Sequence, residues 1–82
     1  MNQTFIKSAE IIEESLVVSV TDGRIISVPL TWYPRVLEAS ETAQKKFHLI
    51  GPGTGIHWDE IDEDVSLQGI LAGIPAMRQK VA

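Results

Sequence analysis

The 82-residue chain has no cysteine, which excludes disulfides, thiolate nucleophiles and cysteine-based zinc sites together. Long apolar runs are missing too: none approaches the roughly 20 residues of a membrane span, so no membrane partner is expected. Positive charge is scarce, with 7 Lys and Arg against 11 Asp and Glu for a net charge of −4. A nucleic-acid surface needs clustered Lys and Arg to displace counterions from phosphates, so no nucleic acid is expected either. The first ten residues lack a basic segment followed by an apolar core, and no secretory signal is read there. These absences point to a soluble, cytoplasmic protein.

Enough apolar sequence is present to build one small globular domain, with 44% hydrophobic residues. The expected layout is an N-terminal arm over 1–8, a single α+β domain over 9–73 and a flexible tail over 74–82. Residues 9–12 read as a weak first strand, because Glu10 and the following Glu13 and Glu14 are poor strand formers. Residues 15–21 and 24–30 are stronger strands, rich in β-branched side chains and separated by Asp22 and Gly23. A three-residue loop with Gly23 left-handed, followed by Arg24, pairs Val18 with Ile26 and Leu16 with Val28. That register gathers the apolar residues on one face, whereas a two-residue turn mixes the faces.

Pro29 lacks an amide donor and suits a strand end. Thr31 is expected to cap a short helix starting at Trp32, with Pro34 in its first turn. Ser40 is expected to cap a second over 41–46. A second hairpin then runs through residues 47–50 and 56–58 around Gly51, Pro52, Gly53, Thr54 and Gly55. Its register sets Phe47 against Trp58, Leu49 against Ile56, and His48 beside His57 on the opposite face. Asp62, Glu63 and Asp64 form an acidic approach to a helix over 67–72, capped by Ser66 and stopped by Gly73. The fold expected is therefore a small antiparallel sheet, built from a meander and a second hairpin and covered by two or three short helices.

Few residues suggest chemistry. The glycine cluster lacks the spacing of a dinucleotide or phosphate loop and continues into a strand. The acidic run of Asp59, Glu60, Asp62, Glu63 and Asp64 lacks the glycine and distal glutamate of a calcium loop. It reads as a solvated loop or as a surface for a basic partner. His48 and His57 with one neighbouring acid are the candidate metal ligands. The serines show no nucleophile elbow, and so small a domain has little room for a substrate cleft. No enzyme and no cofactor are expected. Trp32, Tyr33 and Arg35 form the other candidate contact patch, since consecutive aromatic side chains cannot both point inward. Arg24 and Arg35 are expected to pair with acids, Asp64 first.

The blocks Asp22-Gly23-Arg24, Val28-Pro29-Leu30, residues 32–37, residues 50–58, residues 62–66 and Leu71-Ala72-Gly73 resemble the bacterial domain of unknown function 2442 family. The likeness covers about residues 9 to 73. It implies a small α+β domain that stands alone or is fused to other modules, sometimes to a DNA-binding helix-turn-helix. It also implies a small uncharacterised protein encoded beside it, as in toxin–antitoxin operons. The resemblance carries no catalytic residues, and the short tail leaves no DNA-binding extension. The expected function is a non-catalytic interaction module, antitoxin-like, whose partner is a small basic protein or a second copy in a homodimer. A ligand- or metal-binding protein using His48 and His57 is the alternative, and a component of a transcriptional regulator the next.

Overall fold

Two β-branched runs and a glycine turn organise the first half of the chain as a meander. In the computed structural model, which describes residues 3–75, β1 (Ile6–Ile12), β2 (Ser15–Val20) and β3 (Ile25–Pro29) form an antiparallel sheet in that order. Val18 pairs with Ile26 and Leu16 with Val28, the register expected of the bulged loop. Gly23 is left-handed with φ 101°, and the Val20 amide donates to the Arg24 carbonyl over 2.9 Å. Asp22 closes the loop by accepting from the Arg24 amide and guanidinium.

The first strand starts at Ile6 rather than Ala9, so the last three residues assigned to the arm belong to the sheet. A bulge at Lys7 shifts the register between Ile6 and Ser8. It puts Ile6 on the same buried face as Ala9 and Ile11, despite the odd spacing that would otherwise turn it outward. Of the expected tail, Ile74 and Pro75 are exposed and residues 76–82 lie outside the described residues.

The chain leaves β3 through a 3₁₀ turn, Leu30–Trp32, followed by α1 (Pro34–Leu37). Thr31 therefore lies inside the 3₁₀ turn and caps nothing; Tyr33 takes the N-cap position of α1 without a side-chain bond. Pro34 at the first position explains the break, since its ring disfavours helical backbone at Tyr33, which sits at φ −129°, ψ 77°. Ser40 does cap α2 (Glu41–Lys45), accepting from the Ala43 amide over 3.0 Å, a contact worth ~1 kcal/mol. Gln44 binds the elements together: its side-chain amide donates to the Val36 carbonyl over 2.8 Å, and its own carbonyl accepts from the Trp58 indole over 3.0 Å.

The second hairpin has the expected register, Phe47 against Trp58, His48 against His57 and Leu49 against Ile56. It forms a sheet of its own, because the acidic approach to the last helix is itself a strand. β4 (Phe47–Ile50), β5 (Gly55–Trp58) and β6 (Glu63–Ser66) pair antiparallel in that order. Val65 supplies the reason: it stands opposite Ile56 and is 4% exposed. Ser66 then caps α3 (Leu67–Ala72) by accepting from the Gly69 amide, and Gly73 ends it at φ 74°. The α+β class stands, as two three-stranded antiparallel sheets with three short helices.

The buried faces of both sheets feed one core. Ile6, Leu16, Val18, Val20 and Val28 meet Leu30, Tyr33 and Val36, then Ile56, Trp58, Val65, Leu67 and Ile70. No charged or polar side chain is buried among the described residues apart from the tyrosine. Among those residues no helix is long and apolar enough to cross a membrane.

Candidate functional site

The step after β3 presents its two aromatic residues differently. Tyr33 is 2% exposed and belongs to the core, whereas Trp32 is half-buried and packs on the core's edge. Their rings meet edge to face at 6.4 Å. Tyr33 thus leaves the candidate contact surface and Trp32 stays on it. Burial pushes the Tyr33 phenol up to about 12, and its hydroxyl has no hydrogen-bond partner among the described residues.

Arg35, on the exposed side of α1, joins the aromatic step to the acidic segment. Its guanidinium donates to the Ile61 carbonyl and lies 3.3 Å from the carboxylate of Glu63. The expected partner for Arg35 and Arg24 was Asp64; the structure instead gives Arg35 to Glu63 and Arg24 to Asp22, the latter at 2.7 Å. Strand alternation is the cause. Glu63 and Val65 take the inner face of β6, beside α1 and the core, while Asp64 takes the outer face. The Arg24 contact holds the Asp22 carboxyl below its ordinary value and raises Arg24.

On that outer face His48, His57 and Asp64 form one cross-strand row. The His57 Nδ1 lies 2.5 Å from the Asp64 carboxylate. Asp59 sits two residues beyond on the same face, 3.4 Å from His57 Nε2 and 3.6 Å from His48 Nδ1. The imidazole rings are 5.3 Å apart. The Asp64 hydrogen bond raises the His57 proton affinity, its partial burial opposes this, and the charges of Asp64, Asp59 and Asp62 add to the rise. Glu60 pairs with Lys46 over 3.0 Å. Asp62 is exposed at a left-handed φ of 51°, the bend that reverses the chain into β6.

Arg35 and the 59–64 segment therefore come together through one guanidinium, a juxtaposition hidden in a linear reading of residues 28 apart. The histidine pair was legible from hairpin register, but the carboxylate of Asp64 beside it was not. Two acids in a four-residue strand carry no strand signal, and only the apolar Val65 hints at one. No group of three or more His, Cys, Asp or Glu side chains among the described residues is arranged to hold a metal ion. The expected glycine-rich turn is a hairpin connection, in which the Gly53 amide donates to the Ile50 carbonyl over 2.9 Å. A groove of about 570 Å³ runs between Phe5, Ile50, Val65 and α3, and neither histidine lines it.

A family model described as "Protein of unknown function (DUF2442)" matches residues 6–76, and the chain belongs to that family. The structure is similar to the crystal structure of a protein of unknown function from Rhodospirillum rubrum, with a TM-score of 0.81 and 25% identity over 94% of this chain and 95% of that one. No curated protein matches.

Proposed function

We propose that this family member is a non-catalytic, cytoplasmic protein-interaction module, and that its contact surface is Trp32, Arg35 and the acidic 59–64 segment. The observation that supports it is the reach of Arg35 from α1 to the Ile61 carbonyl and Glu63, which makes one surface of two distant stretches. An aromatic at a core's edge beside an arginine is the composition of an interface hot spot. Asp59, Glu60, Asp62 and Asp64 are all exposed around it, so the chemistry favours a small basic partner, as in an antitoxin-like pair. A second copy of the chain is the other occupant to test. Neither the net charge of −4 nor the arrangement around the histidines favours the regulator or metal readings.

The test is capture of partners on the tagged chain in lysate of its native bacterium, then calorimetry with the purified partner. A stoichiometric small basic protein is expected, with Trp32→Ala costing roughly 2 kcal/mol of binding. The triple change Asp59→Asn, Glu60→Gln, Asp62→Asn is expected to weaken binding and flatten its salt dependence. Recovery of the chain alone, or affinity indifferent to both variants, overturns the reading.

A further inference from the structure

The row of ionisable groups on the outer face of β4, β5 and β6 shares Asp59 and Asp64 with the contact surface just described and adds two imidazoles, His48 and His57, that the surface does not use. His57 stands at its centre, hydrogen-bonded to Asp64 at Nδ1 over 2.5 Å and with the Asp59 carboxylate within ion-pair distance of Nε2, at 3.4 Å. An imidazole facing an acceptor at each nitrogen satisfies both only when both nitrogens carry protons. The neutral ring has one N–H, so it keeps one carboxylate and turns a lone pair on the other.

We propose that His57 is a proton-operated clamp on the 59–64 segment: its imidazolium ties Asp59 and Asp64 to β5, and loss of the proton releases one carboxylate and loosens the segment. The groups facing His57 are His48 from β4, Asp64 from β6, and Asp59 and Asp62 from the connection between β5 and β6. His48 shares Asp59 with it, at 3.6 Å, so the two rings compete for one carboxylate. The nearby cations are engaged elsewhere, Lys46 with Glu60 and Arg35 with Glu63. Three aspartates thus surround one imidazole, and an uncharged ring leaves their repulsion within a six-residue segment uncompensated.

The direction of the effect follows from the raised proton affinity. The clamp holds fully below the histidine's unfolded value, ~6.5, and is lost as pH rises through its folded midpoint. Because the same segment carries Ile61 and Glu63 to Arg35, the clamp also bears on the proposed contact surface. It is nevertheless a property of the free chain and stands or falls without a partner.

The experiment follows the His57 ring protons of the full chain by NMR from about pH 5 to about pH 9, a span centred near the ordinary histidine range. Amide exchange of residues 59–64 is measured alongside and corrected for intrinsic base catalysis. The expected midpoint is above the ordinary value and falls in Asp64→Asn. Protection of the segment is expected to drop across that midpoint in the unaltered chain and to stay flat with pH in His57→Gln. A midpoint that Asp64→Asn leaves in place, or protection that ignores the midpoint, overturns the clamp.

Discussion

At the scale of single residues, Tyr33 is the position where the core is least satisfied. The ring is needed, since it fills space between the 3₁₀ turn and the sheets and meets Trp32 edge on. The hydroxyl is buried with no partner among the described residues, and such a group costs ~1–3 kcal/mol in lost hydration. Tyr33→Phe keeps the ring and removes the cost, so it is expected to be at least as stable as the parent and up to ~1 kcal/mol more so. The pH dependence has a definite sign. An unfolded tyrosine ionises near ~10, whereas the folded phenol is pushed up to about 12. The unfolded state loses its proton first, so stability falls as pH rises from the first value to the second, and Tyr33→Phe abolishes that fall. Tyr33 is the only tyrosine in the chain, so phenolate absorbance during alkaline titration reports this residue alone. A native midpoint at the ordinary value contradicts the argument.

At the scale of elements, the β1–β2 hairpin is the least locally favoured. Ile12 pairs with Ser15, leaving Glu13 and Glu14 as a two-residue turn with φ values of 49° and 67°. Such a primed turn matches the twist of its strands and belongs to Asn-Gly or Asp-Gly sequences. Left-handed backbone costs ordinary L-residues ~1–2 kcal/mol each. Replacing Glu13 by Asn and Glu14 by Gly is therefore expected to stabilise the fold by ~1–2 kcal/mol, raising Tm by roughly 4–8 °C for each kcal/mol. The Glu14 carbonyl that accepts from the Leu30 amide over 2.9 Å survives the change. An unchanged or lower melting temperature sinks the prediction.

The same hairpin shows why part of the fold was readable and part was not. Asp22-Gly23 and the 51–55 loop announce their turns, and apolar alternation on either side then leaves one register that buries a single face. Glu13-Glu14 announces nothing, so β1 looked weak and its bulge at Lys7 was invisible. β6 was hidden for the related reason that Glu63 and Asp64 are poor strand residues and Val65 is the one apolar residue in it. The candidate surface was legible as two separate patches. Their union depends on Arg35 choosing Glu63 over Asp64, which only the pleat of β6 decides.

At the scale of the whole molecule, two sheets share one core and touch directly through backbone. The Ile6 amide donates to the Gly53 carbonyl over 2.8 Å, tying the start of β1 to the β4–β5 turn. That closeness requires glycine: a Cβ at Gly53 sits 2.4 Å from the Ile6 carbonyl oxygen and 2.9 Å from its nitrogen, on a φ of +117°. Neither neighbour is a side-chain end that can swing away, so the junction itself must open. Gly53→Ala is expected to destabilise by more than ~2 kcal/mol. Gly51→Ala is the internal control, because it shares a positive φ of +53° but meets nothing within 4 Å; its cost is expected to stay near ~1 kcal/mol. Since the core runs through Val18 and Val20 on one sheet and Ile56 and Trp58 on the other, the loss is shared by both sheets. Tryptophan fluorescence and far-ultraviolet circular dichroism should therefore shift to the same lower midpoint in Gly53→Ala, as for a single cooperative unit. Separate midpoints for the two probes mean that each sheet holds its own structure and that the junction at Gly53 is a contact between two units rather than the joint of one.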